Sequence, residues 1–591
     1  MDFRDAQRSG NPMATHSSGI VAYDAVKHDV PMRSWTVLAQ DPSVLGPGGK
    51  ALTTTVSLPA ERLERGPKGF RVHVIDYDAS SDTFYRARDK DIDTDVFASV
   101  TDISKLVRTP YFHQQNVYAI AMATLHAFEG ALGRTVPWGF QAPSHQLKIA
   151  PHAFADANAY YSRDSESLNF GYFPDQQGTL VFTCLSHDVV VHETTHALLD
   201  GLRPYYWLPS SPDQAGFHEG FSDIVALLSV FKGEEIIDLL LGSLTNRAQR
   251  IPAENLTAEK LGGSHFGRLA EEMGAALDGV PTSALRISVT IRPDPDRYTQ
   301  YQEMEEHDLG ELLVAVVMRT FFKVWEQRLK RISKHSPGGV ARSIVAEEGT
   351  TAASHLLRIL IRALDYMPPV DITFEDYLSA ILTADMQMYP DDSKYRYREA
   401  LKGTFESYGI HPASRARSDG AWDPPKASEF TLAGTHFDRM RRDPLEVFRF
   451  VWENKAALGV HPDAFTRVTS VRPVIRISND QTLLRETVVE YIQELSIYSS
   501  ELGAMGIERP KGMPTNRMIH LYGGGTLVFN EYGLLKFHVG TGVGSTRQTQ
   551  RLESLWTRGF FTKTSSASTQ LAMTHRDRVL RPFHVPTKEG W

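Results

Sequence analysis

The chain has 591 residues, a formal net charge of −8 and a pI near 6.3, which gives no electrostatic case for nucleic acid or an anionic membrane surface as a partner. Its length exceeds what one compact core usually holds and predicts about three domains. The single cysteine, Cys184, excludes an intrachain disulfide; it predicts a buried small hydrophobe there and a metal site not built on thiolates.

Residues 1–34 are polar and broken by Gly, Pro and Ser, with no apolar core of a secretory signal, so a flexible tail is expected. No stretch is long enough to span a bilayer. A cytoplasmic protein follows, or one exported by a route that needs no signal. Residues 35–40, 53–58 and 70–76 read as strands with Pro- and Gly-rich connections. The run 114–132 is apolar at steps of three and four and stops at Gly133, as a helix does; 147–150 returns to strand. Residues 158–161 and 168–172 read as two strands around the polar turn Arg163-Asp164-Ser165-Glu166. Residues 35–184 are thus expected to form a β-rich lobe and 185–411 a helical one, including a long amphipathic helix over 309–329.

The segment His192-Glu193-Thr194-Thr195-His196 lies in an apolar helical run that begins near Leu185 and stops at Gly201 and Pro204. Residues four apart share one helix face, so both imidazoles can reach a single metal ion. Asp188 extends the same polar stripe one turn upstream, and polar groups on an otherwise apolar helix need partners or a metal. A second helix starting near Gly216 carries Glu219 and Asp223 four apart, ahead of the apolar run 224–228. A catalytic zinc takes three protein ligands and keeps one position open. His192, His196 and Glu219 suit the ligand roles, and Asp223 can accept the free ring N–H of His192. Glu193 sits beside the metal without binding it. The bland alternative is two core histidines and two satisfied carboxylates on unrelated helices.

These residues resemble the thermolysin-like branch of the gluzincin metallopeptidases, in which an HExxH helix is paired with a later helix bearing E-x-x-S-D. Asp188-Val189-Val190-Val191-His192-Glu193 is similar to that family's lead-in. Asn158-Ala159-Tyr160-Tyr161 looks like its substrate-holding edge strand. His307-Asp308-Leu309-Gly310-Glu311 is similar to the H-x-x-G-E helix of the related fungalysins, and 371–374 through 408–410 resemble the closing helical hairpin. The resemblance covers roughly residues 110 to 411, in the family's order. It departs in two places. Glu219 follows His196 by 23 positions, somewhat more than in thermolysin, and is preceded by His218 where the family commonly has Asn, so His218 would take that supporting role. Asp188 matches a calcium-binding aspartate, but Val230 stands where another calcium carboxylate is expected, which counts against calcium.

The resemblance implies an α+β fold with a two-lobed thermolysin-like core and one catalytic zinc ion, hydrolysing extended peptides or proteins. Glu193 would act as general base and then general acid. Asn158 and Ala159 would hold the substrate backbone. Donors to the oxyanion would be His307 and one of Tyr205 or Tyr206, with open alternatives: a solvated histidine in the acidic run 303–308, and an aromatic cluster around Trp207.

A stretch rich in Pro, Gly, Ser and charge places a linker at 412–428, followed by an α+β accessory domain over 429–591 outside the resemblance. There 444–458 reads as helix, 471–477 as strand, 481–495 as helix, and 518–539 as a β-hairpin turning at Asn530-Glu531-Tyr532-Gly533. Its position suggests a regulatory or oligomerisation partner. Two other functions stay open: an aminopeptidase or narrow processing peptidase of the same clan, though no G-x-M-E-N motif is present, and a non-catalytic zinc-bearing binding or assembly protein.

Overall fold

The computed structural model describes residues 31–46, 48–140, 145–175, 177–208, 210–241, 244–245, 249–263, 291–302, 306–477 and 483–561. Helices and strands are mixed, in an α+β arrangement with several small sheets. Of the flexible tail expected over residues 1–34, residues 1–30 lie outside the described residues, whereas 32–34 are not tail but open the first strand, paired to residues 57–59. Among the described residues, no helix is long and apolar enough to cross a membrane.

The first strands, β1 (Met32–Leu38) and β2 (Thr53–Pro59), form an antiparallel hairpin. A second sheet is built from β3 (Val72–Val74), β4 (Leu147–Phe154), β5 (Ala159–Ser162), β6 (Ser167–Pro174) and β7 (Leu180–Phe182). In it β4 runs parallel to both β3 and β6, while β5 pairs antiparallel with β6 and stands at the sheet's edge. Between hairpin and sheet runs α1 (Pro110–Leu132), started by a proline at its first turn and ended by Gly133 at φ 69°. Buried polar side chains on α1 are paired: Gln114 Nε2 donates to Asp76, Gln115 Nε2 to the Thr36 carbonyl, and Asn116 Nδ2 to the Cys184 carbonyl. These bonds locate α1 rather than merely burying it.

The helical part follows: α2 (His187–Leu202), α3 (Pro212–Val230), α4 (Glu306–Lys334), α5 (Arg342–Ala363), α6 (Phe374–Met388) and α7 (Tyr397–Glu406). Ser211 caps α3 by accepting from the Gln214 amide, with Pro212 at the first turn; Thr373 and Asp376 form a capping box on α6. Helices α3 and α4 meet backbone to backbone. A Cβ on Gly220 would stand 2.6 Å from the Gly310 carbonyl oxygen, and one on Gly310 would stand 3.0 Å from that of Gly216. Only glycine allows so close a crossing.

Residues 412–428, expected as a linker, are tied to the helices. The Ala413 amide donates to Ser379 Oγ, the Trp422 amide to Thr383 Oγ1, and the buried Trp422 ring N–H to the Tyr366 carbonyl. Beyond them α8 (Pro444–Glu453) precedes an antiparallel meander of β8 (Phe465–Ile477), β9 (Leu483–Tyr498), β10 (Met518–Asn530) and β11 (Leu535–Thr541), closed by α9 (Arg547–Thr557). The hairpin expected over 518–539 is present. The helix expected over 481–495 is not: β9 is a strand, with residues 486–493 buried on both faces. Val489 and Tyr491 face the α8 cluster of Val447, Phe450 and Val451, whereas Val488 joins the main core with Val474, Val528 and Phe537. Neighbouring residues packing on opposite sides is the period of a strand. Glu486 and Glu490, four apart, imitate a helical face in the sequence, but they point at arginines.

Those arginines join the C-terminal sheet to the helices. Arg134 makes two 2.6 Å hydrogen bonds to Asp365, which also pairs with Arg476 of β8. Arg476 pairs in turn with Glu486 at 2.8 Å, and Glu486 with Lys536 at 2.6 Å. Arg203, just past α2, pairs with Glu490 at 3.0 Å. All but Lys536 are buried.

Candidate metal centre

The site is assembled where α2 and α3 pack. Four-residue spacing puts His192 and His196 on one face of α2, and their Nε2 atoms lie 2.9 Å apart. Glu219 Oε2, on the facing side of α3, is 3.7 Å from His192 Nε2 and 3.8 Å from His196 Nε2. His196 is fully buried; His192 and Glu219 keep slight exposure.

The outer ring nitrogens are held as ligating imidazoles require. His192 Nδ1 is 2.8 Å from Asp223 Oδ1. His196 Nδ1 is 2.8 Å from His218 Nδ1 and 3.2 Å from Ser222 Oγ, which itself donates to the His218 carbonyl. With its proton directed there, His196 presents a lone pair at Nε2. The His218 ring stacks on His196, centroids 4.7 Å apart, and Trp207 packs edge-on against His218. Burial opposes charge on His192, but Asp223, Glu193 and Glu219 outweigh it and raise its pKa to about 10. On α4, burial first, then Asp308 and Asp223, push the Glu311 carboxyl up to about 7. Carboxylates gathered around two imidazoles make a potential that suits a cation. The donor set, two imidazole nitrogens and one carboxylate oxygen with fixed outer partners, fits zinc.

Glu193 is buried beside this pair, and its Oε2 accepts from the Tyr161 amide of β5 at 2.8 Å. Successive residues of an antiparallel strand alternate between facing the partner and facing away. Tyr161 therefore turns its N–H and C=O to the edge that no strand pairs among the described residues, and Ala159 does the same. The Ala159 amide is capped by Asn158 Oδ1 at 2.7 Å. Asn158 also lines a cavity of about 580 Å³ with Lys148, Phe154, Tyr160 and Asn169.

The remaining expected residues fall elsewhere or outside the description. The Tyr206 hydroxyl donates to the Pro368 carbonyl at 2.8 Å inside the core, and its ring packs edge-on against Phe217. Tyr205 turns toward the C-terminal sheet, where its hydroxyl accepts from Arg467 of β8 and its ring lies 6.2 Å from that of Tyr522. His307 falls in the first turn of α4, but its side chain lies outside the described residues. Asp188 binds the start of its own helix, accepting from Ser186 Oγ and the Val189 amide.

Three participants escaped sequence reasoning. The Tyr161 amide is backbone, which no residue type signals. Ser222 sits inside a recognised motif but acquires its role only through His196. Asp200, paired with Arg163 and accepting from the Tyr161 hydroxyl at 2.8 Å, fixes the strand against the end of α2; an aspartate four residues after His196 was a readable signal.

No family model and no curated protein matches this chain.

Proposed function

We propose that the chain is a zinc-dependent endopeptidase of the thermolysin-like type, with a β-rich and a helical lobe meeting at the metal centre. The observation that carries this reading is the convergence of His192 Nε2, His196 Nε2 and Glu219 Oε2 next to a free strand edge on which Glu193 rests. Zinc held by those three residues would supply Lewis acidity toward a carbonyl oxygen and a lowered pKa for water.

The chain's own groups do the rest. Glu193 takes the proton of the attacking water and returns it to the leaving amine. Its anchoring to Tyr161 keeps the carboxylate at the strand edge, where the scissile bond must lie. The outward carbonyls of Ala159 and Tyr161 accept amides of an extended substrate, which adds to the sheet as a further strand. Trp207 and the His218 stack keep the metal ligands in place and dry.

The test is peptide-library cleavage by the full chain and by Glu193→Ala, with metal analysis of both. Zinc retained with cleavage lost supports the reading; cleavage retained by Glu193→Ala sinks it. Cleavage of N-terminally acetylated peptides separates an endopeptidase from an aminopeptidase.

A further inference from the structure

A second convergence of metal-ligating side chains lies in the core. His113 on α1, His152 on β4 and Cys184 in the turn before α2 are all buried, and their ligand atoms lie within 4.8 Å of one another. The hydrogen bonds around the imidazoles fix their tautomers. His113 Nε2 is 2.8 Å from the Val107 carbonyl oxygen, which can only accept, so the proton is on Nε2 and Nδ1 carries a lone pair. His152 Nδ1 is 2.8 Å from Asp76 Oδ1, while Asp76 Oδ2 accepts from Gln114, so a neutral His152 carries its lone pair on Nε2. These two lone-pair atoms face each other at 2.8 Å.

Two acceptors at that distance repel unless an electrophile joins them, either a shared proton or a metal ion. The centre on α2 shows the same signature: inner nitrogens 2.9 Å apart, outer nitrogens held on fixed partners.

We propose that His113, His152 and Cys184 bind a divalent transition-metal ion of the zinc type, at a buried site separate from the His192–His196–Glu219 centre. Imidazole and thiolate donors suit a borderline-soft ion. One thiolate and the Asp76 carboxylate balance its two positive charges inside the core, and the thiol proton released on binding leaves to solvent. Asp76 and the Val107 carbonyl orient the two rings as outer partners of ligating histidines do. Phe182 packs on both imidazoles, at 4.8 and 5.4 Å between centroids, and shields the ion. The ion staples α1 to the sheet and to the turn that leads into the HExxH helix. Cys184 is buried as expected, and His113 and His152 reach it from segments far away in the chain.

Metal analysis of the full chain and the absorption spectrum after exchange into Co²⁺ test this site. Cys184 is the sole cysteine, so a cobalt–thiolate charge-transfer band can have no other origin. Two equivalents of metal with that band are expected in the wild type, and one equivalent without it in Cys184→Ser. The double variant His192→Ala, His196→Ala should keep one equivalent and the band, whatever becomes of the proposed peptidase activity. A wild type with one equivalent and no band, and a far-downfield imidazole N–H resonance from a shared proton, would overturn the proposal, as would a band lost in the double variant. The wild-type spectrum decides even where a variant fails to fold.

Discussion

The Glu193 carboxylate accepts the backbone amide of Tyr161 at 2.8 Å, joining the HExxH helix directly to the free edge of β5. The group proposed to move the proton and the edge proposed to hold the substrate are therefore one hydrogen-bonded unit. A shift of either changes the other.

Replacing Glu193 by Gln keeps the size and the bond to Tyr161 but removes the base. Peptide hydrolysis should fall by about 10²–10⁴-fold, the usual range for a lost general base. Zinc content, measured by elemental analysis, should stay at the wild-type level.

Asp223→Asn weakens the partner that orients His192. Zinc affinity, measured by competition with a chromophoric chelator, should fall by about 10–100-fold. Unchanged affinity would detach Asp223 from the metal centre.

At the crossing of α3 and α4, Gly220→Ala drives a Cβ to 2.6 Å from a backbone oxygen, whereas the tightest contact for Gly310→Ala is 3.0 Å. Overpacking of this kind costs about 1–3 kcal/mol. Thermal denaturation should rank Gly220→Ala below Gly310→Ala, and Gly220→Ala should also lose zinc affinity because Glu219 is its neighbour.

Burial opposes charge on Asp365, but Arg134 and Arg476 outweigh it and hold its carboxyl well below the usual range. A carboxylate with a depressed pKa binds protons less tightly in the folded than in the unfolded chain. Its stabilisation is full above the ordinary aspartate value, about pH 4, and is lost as pH falls below it. Denaturation followed down through about pH 3 should show that loss. Arg476→Met should flatten the acid slope and cost up to about 3–5 kcal/mol at neutral pH, because Glu486 then keeps only Lys536.

Tyr206→Phe removes a hydroxyl bonded to the Pro368 carbonyl. It should lower stability by about 1–3 kcal/mol, the cost of an unsatisfied buried acceptor, and leave kcat unchanged. A large fall in kcat would return Tyr206 to the reacting centre.

How much of this was legible in the chain follows from the range of the forces involved. Helical periodicity fixes which residues share a face within one helix, so the pairs His192–His196 and Glu219–Asp223 could be read without any fold. The strands at 158–161 and 168–172 were readable for the same local reason. Strand β9, expected as a helix, is held extended by Arg476, Arg203 and the α8 cluster, which come from distant segments of the chain. The Glu193–Tyr161 bond, the His218 stack on His196 and the meeting of His113, His152 and Cys184 join separate elements. The sequence by itself determined the pairs His192–His196 and Glu219–Asp223, since backbone geometry sets their spacing; the tertiary structure decided what lies opposite them, since packing alone brings distant donors within bonding range.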